Sequence, residues 1–258
     1  NRQIMRTFVF TCLLLLGMTT FAQDANFHIY LCLGQSNMEG NAKVEEQDTV
    51  AVDSRFQVLA AVDCPNLGRT KGNWYKAVPP LARCYTGLTP GDYFGRAMVA
   101  NLPSNVQVGI INVAVGGCRI ELFDKDNYQS YVETSPDWLK NMVKEYGGNP
   151  YARLVEMAKL AQKDGVIKGI LLHQGESNTN DKDWPLKVKG VYDNLLNDLG
   201  LSAANVPLLA GEVVHADQNG VCASMNTIID SLPQVIPTAH VISSAGCPAA
   251  FDNLHFTA

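Results

Sequence analysis

Residues 27–33 (FHIYLCL) form an unbroken apolar run that stops at Gly34. A strand with one wet face alternates apolar and polar side chains, so a continuous run predicts a strand covered on both faces. Comparable runs occupy residues 106–115, 166–173, 206–214 and 240–244. Between them the repeat lengthens to that of a helix. Residues 151–163 carry apolar groups at Leu154, Met157, Ala158 and Ala161, and residues 185–199 carry them at Val188, Val191, Tyr192, Leu195 and Leu199. Pro185 suits a helix's first turn and Gly200 its left-handed stop. Asp92, after Pro90-Gly91, predicts the cap of a third helix reaching Ala100.

Strands alternating with amphipathic helices imply parallel pairing through right-handed crossovers. The expected fold is a three-layer α/β/α sandwich, flavodoxin-like, around a parallel sheet of about five strands. In such sheets ligands gather at the carboxyl ends of the strands. Residues 40–90 break the pattern, with little periodicity, several prolines and two cysteines, and are expected to form a long, partly ordered excursion beside that edge.

An apolar content of 47% is enough for one sizeable core, so residues 23–258 are read as a single domain. The formal charge is −5 and the basic residues are scattered, which offers no stripe for a phosphate backbone and excludes nucleic acid as an expected partner. Residues 5–22 combine Arg6, an apolar stretch over 8–18 and small residues at Thr20 and Ala22, the pattern of an export signal cleaved before Gln23. The stretch is shorter than the roughly 20 residues a membrane anchor needs. The expectation is a secreted or periplasmic protein with no membrane span after cleavage. Of seven cysteines, Cys12 leaves with the signal, and the other six allow up to three bridges in an oxidising compartment, in any of fifteen pairings. Cys32, inside an apolar strand, reads as a buried free thiol. No cysteine-histidine cluster has zinc spacing, so no metal site is expected.

Four short segments follow or close a strand and hold residues that packing does not explain. Gly34-Gln35-Ser36-Asn37-Met38 puts a hydroxyl at a strand-to-helix turn, beside free backbone N–H groups. Gly116-Gly117 lets the backbone approach a ligand and present an N–H without a side chain in the way. His173-Gln174-Gly175-Glu176-Ser177-Asn178 places a polar string just outside a buried strand. Asp252-Asn253-Leu254-His255 sets a carboxylate three residues before an imidazole that it can orient, and a serine hydroxyl needs such a base to react at neutral pH.

Taken together, in this order, the four segments resemble the SGNH hydrolases, and within them carbohydrate esterase family 6 and the sialate O-acetylesterase domains, whose hallmarks are a GQSNM block, a glycine block, an HQGES block and a terminal DxxH. Gly91-Asp92-Tyr93-Phe94-Gly95 is also similar to that group. The resemblance runs from Phe27 to Ala258. It implies Ser36 as nucleophile, His255 as general base, and an oxyanion held by the N–H groups of Ser36 and Gly117 and the side-chain amide of Gln174. Asn178 is the alternative amide in that block. The acid that orients His255 is Asp252 or Glu176.

The resemblance further implies that acetyl groups are removed from a carbohydrate by two acyl transfers with no cofactor. Acetylated xylan and O-acetylated sialic acid both fit. Arg119, Trp74 and Asn178 are candidate sugar contacts. An inactive carbohydrate-binding module on the same fold, or a lipase or thioesterase of the superfamily, are the competing readings, the last disfavoured by the lack of an apolar cover near Ser36. Family members continue past the DxxH into a closing helix, so the ending at Ala258 reads as a chain cut short, with His255 less firmly fixed.

Overall fold

The computed structural model describes residues 23–257; the expected export signal and Cys12 lie outside them. Seven strands form one sheet: β1 (Asp24–Gly34), β2 (Phe56–Leu59), β3 (Trp74–Lys76), β4 (Gln107–Ala114), β5 (Gly165–His173), β6 (Leu208–Gly211) and β7 (Ala239–Ile242). Their order across the sheet is β3-β2-β4-β1-β5-β6-β7, and every pairing is parallel except that of β2 with β3. The five strands read from apolar runs are all present. The two additional strands come from the 40–90 excursion, where four and three residues are too few to carry a visible period.

Both faces of the sheet are covered, which is why its strands read as continuous apolar runs. Along β1, Ile29, Leu31 and Leu33 point into the larger core, and Tyr30 and Cys32 into the smaller one. The first layer holds α3 (Asp137–Glu145), α4 (Pro150–Ala161) and α5 (Trp184–Leu199); α2 (Pro90–Asn101) covers the other face, and the single turn α1 (Ser36–Glu39) follows β1 directly. Trp184, Leu154, Met157, Ile111 and Ile29 are sealed from solvent. Each such side chain contributes about 1.5–3 kcal/mol by leaving water, and truncation to alanine would cost about 2–5 kcal/mol.

Helix ends follow their sequence signals, with one correction. Gly200 is left-handed at φ 63° and ends α5. For α2 the cap is Thr89, whose hydroxyl accepts from Gly91 N–H, while the expected cap Asp92 sits three residues on and accepts from Thr89 N–H, the reciprocal arrangement of a capping box. One disulfide, Cys64–Cys84, is present among the described residues, inside the excursion; Cys32 and Cys118 are buried free thiols, and Cys222 and Cys247 are also unpaired.

The topology fixes where a site can form. From β1 the chain crosses to β2 and the edge strand β3, returns to lay β4 between β2 and β1, then passes to the other side of β1 for β5, β6 and β7. The reversal leaves a crevice beyond the carboxyl ends of β4, β1 and β5, where open α/β sheets bind ligands. The glycine block follows β4, the serine block follows β1, and the polar HQGES string follows β5.

Candidate active site

Gly34 closes β1 at φ 153°, and a Cβ there would lie 2.0 Å from the carbonyl oxygen of His173. Only glycine lets β1 and β5 meet this closely before the chain turns. Gln35 N–H then donates to His173 O at 3.0 Å, and Ser36 opens α1. The first N–H groups of a helix have no partner within it, so Ser36 N–H is left at the edge of the crevice.

Although 219 residues separate them, the Ser36 hydroxyl and His255 Nε2 lie 2.8 Å apart. The other ring nitrogen, Nδ1, is 2.6 Å from Asp252 Oδ2, while Asp252 Oδ1 accepts the N–H groups of Leu254 and His255 at 3.0 Å each. Partial burial disfavours charge on Asp252, but the bonds from the His255 ring and the two backbone donors outweigh it and bring its pKa down to about 2. A charged carboxylate on Nδ1 selects the tautomer whose Nε2 can take the serine proton.

Of the two candidate acids, Asp252 is the one in contact with His255. Glu176 is buried, and its Oε1 accepts from Asn37 Nδ2 at 2.8 Å rather than touching His255. Its influence on the histidine passes through Asn37. That amide also donates to Leu254 O at 3.2 Å, and its oxygen accepts Phe256 N–H at 3.1 Å, so Asn37 grips the backbone on both sides of His255. The one sequence signal for Asn37 is its position beside Ser36 in the GQSNM block.

Gly116 comes close to the serine: a Cβ built on it would stand 3.8 Å from Ser36 Cβ. Gly117 has φ 68°, a left-handed conformation that favours glycine, and its carbonyl accepts from Ser177 Oγ at 3.0 Å. Cys118 N–H closes the turn on Val115 O at 3.3 Å. Gly117 N–H takes no partner among the described residues, which leaves it available to a ligand beside Ser36.

Gln174 departs from expectation. Its amide nitrogen faces three internal acceptors, Gln35 Oε1 at 3.1 Å, Cys118 O at 3.2 Å and Asn178 Oδ1 at 2.8 Å, and its oxygen accepts from Trp184 Nε1. Two protons shared among three acceptors leave none free for an oxyanion. Gln174 instead ties the serine, glycine and HQGES segments together. Asn178 is likewise spent: its oxygen accepts from Ile120 N–H and Gln174, and its nitrogen donates to Glu121 and Asp181, so this buried residue braces the loop and does not reach a sugar.

Trp74 is corrected outright. Its ring packs against Phe27, 4.7 Å between centroids, and its indole N–H donates to Asp164. Phe27 lies near the start of β1, seven residues before Gly34, on the order of 20 Å from the crevice at the rise of an extended strand. Arg119 does lie at the rim, with its side chain 45% exposed and its guanidinium near Glu121 and Asp181. Trp138, at the second position of α3, passed unnoticed in the sequence. It is 53% exposed, and its ring edge lies over Gly117, 2.7 Å from where a Cβ would be.

The chain matches the model of the family described as carbohydrate esterase, sialic acid-specific acetylesterase, over residues 26–258. It belongs to that family. The sialic acid-specific acetylesterase family consists of carboxylic ester hydrolases acting on carbohydrate, and this chain carries its domain over nearly the full length. Solved structures share the fold. A protein from Arabidopsis thaliana superposes with a TM-score of 0.67 at 20% identity, over 90% of this chain and 91% of that one. NanS superposes at 0.60 and 14% identity, over 88% and 81%. A carbohydrate acetylesterase from Xanthomonas citri gives 0.58 at 18% identity, over 86% of this chain and 51% of its own. No helix among the described residues is long and apolar enough to cross a membrane.

Proposed function

We propose that this esterase removes O-acetyl groups from a saccharide through an acetyl-enzyme formed on Ser36. The observation that carries the reading is the unbroken relay from Ser36 Oγ to His255 Nε2 and from His255 Nδ1 to Asp252, at 2.8 and 2.6 Å. In the first transfer His255 accepts the Ser36 proton as the oxygen attacks the acetyl carbonyl. The tetrahedral oxyanion receives N–H groups from Ser36 and Gly117, and the sugar alkoxide leaves with the proton from His255. In the second, His255 takes a proton from water, hydroxide attacks the acetyl ester, and acetate departs while Ser36 recovers its proton. Asp252 stays ionised throughout and stabilises the imidazolium.

The sugar is placed over Trp138. An exposed indole beside the donor glycine offers an apolar face to the ring carbons of a saccharide. With its ester delivered at Gly117, the sugar would extend over the indole toward Arg119. The export-signal pattern of residues 5–22 supports a place outside the cytoplasm, where polymeric and cell-surface sugars are met.

Acetate release by the full chain from acetylated xylan and from O-acetylated sialic acid, measured side by side, assigns the sugar. Ser36→Ala should abolish release from both. Full activity in that variant would remove the proposal.

A further inference from the structure

The family motifs do not explain how the glycine turn is held opposite the serine. Glu39 is three residues from Ser36 on the same helical turn, and its Oε1 accepts Gly116 N–H at 3.0 Å. A Cβ on Gly116 would lie 2.7 Å from Glu39 Oε2, so the carboxylate presses directly on the glycine. With Ser177 holding the Gly117 carbonyl, the peptides before and after the one that carries Gly117 N–H are both held. Gly117 N–H is thereby aimed by a group that rides on the nucleophile's own helix.

A carboxylate in this place carries a cost. It sits next to the point where negative charge develops in the transition state, and its side chain is only 13% exposed. Arg83 answers it. Its guanidinium pairs with Glu39 on one side and Glu145 on the other, with its own side chain 10% exposed. Arg83 arrives from the excursion between β1 and β4, directly before Cys84 of the one disulfide found there. The otherwise irregular segment thus delivers a cation to the back of the oxyanion site.

We infer that Glu39 and Arg83 form a positioning pair: Glu39 sets the direction of Gly117 N–H, and Arg83 cancels the carboxylate's repulsion of the oxyanion. Neither residue touches the substrate. The inference rests on the esterase reading of Ser36, and its signature lies in how the two substitutions combine. Arg83→Met leaves Glu39 charged and unopposed, so it should slow kcat on p-nitrophenyl acetate about tenfold to a hundredfold with KM nearly unchanged. Adding Glu39→Gln, which keeps an acceptor for Gly116 but removes the charge, should recover most of that loss. Glu39→Ala, which removes the acceptor, should weaken a boronic acid inhibitor by the same factor as it lowers kcat/KM, because the boronate oxygen occupies the oxyanion position.

A residue that merely supported the fold would shift the melting temperature without producing this recovery or this parallel. The inference is overturned if Arg83→Met turns over at the wild-type rate, or if Glu39→Gln restores nothing. Should Arg83→Met not fold, the Glu39→Ala comparison decides alone: an unchanged inhibitor affinity contradicts the role. Ser36→Ala, run in parallel, separates the two levels. If it remains active the esterase reading fails; if it is dead while Arg83→Met is unimpaired, only the positioning pair fails.

Discussion

Asn37 Oδ1 accepts the backbone N–H of Phe256 at 3.1 Å, tying the residue after Ser36 to the residue after His255. The same amide bonds Leu254 O and buried Glu176, so one side chain converts strand-end geometry at β1 into the position of His255. Asn37→Ala should destabilise the fold by about 2–3 kcal/mol, since it orphans a buried carboxylate and a backbone donor. Because His255 loses its fixed backbone, kcat should fall by more than that stability loss alone explains. Denaturant unfolding and kcat measured on the same preparation check this.

Asp252 and Glu176 should separate cleanly. Asp252→Asn removes the charge on His255 Nδ1 and favours the wrong tautomer, so kcat should drop on the order of 10³–10⁴-fold. Glu176→Gln keeps an acceptor for Asn37 and should leave kcat within about threefold while changing stability. Steady-state rates of the two variants at one pH distinguish the roles.

Two carboxyls give opposite pH dependences of stability. Burial pushes Asp92 up to about 7 against the bonds from Thr89, so from about pH 4 to about 7 the folded state holds a proton that the unfolded chain has released. Stability therefore falls as pH rises through that window. Asp252, lowered to about 2, contributes stability that is present above its ordinary value of 3.8 and is lost as pH falls toward 2. Asp92→Asn should flatten the decline in melting temperature between about pH 4 and about pH 8, leaving the acid limb in place.

Removing the Cys64–Cys84 bridge with serine at both positions should cost about 3 kcal/mol for a loop spanning 20 residues. It should also lower kcat, because Arg83 loses its tether. A thermal melt and a rate measurement below the new melting temperature separate the two effects.

Trp138→Ala should raise KM for the acetylated saccharide about fivefold to tenfold, the value of one aromatic contact, and leave p-nitrophenyl acetate hydrolysis within about twofold. An equal loss on both substrates would mean that the indole supports Gly117 rather than the sugar.

The strands β1, β4 and β5 were readable because doubly covered strands need continuous apolar runs, and the helices because Val188, Val191 and Leu195 repeat at the helical period. Strands β2 and β3 were not readable, since four and three residues are too few to show a period. Ser36, His255 and Asp252 were legible as short motifs. The work of Asn37, Arg83 and Trp138 was not: each acts on a residue tens to hundreds of positions away, and none has a local pattern that marks it. Gln174 shows the reverse case, a motif residue whose amide the fold spends on internal bonds.

The central claim is that Ser36 carries the acyl group. Rapid mixing with p-nitrophenyl acetate, followed by acid quench and peptide mass mapping, should find one acetyl group on the peptide containing Ser36 and none in Ser36→Ala. Steady turnover with no acetyl on that peptide, or with acetyl on another residue, would contradict the account.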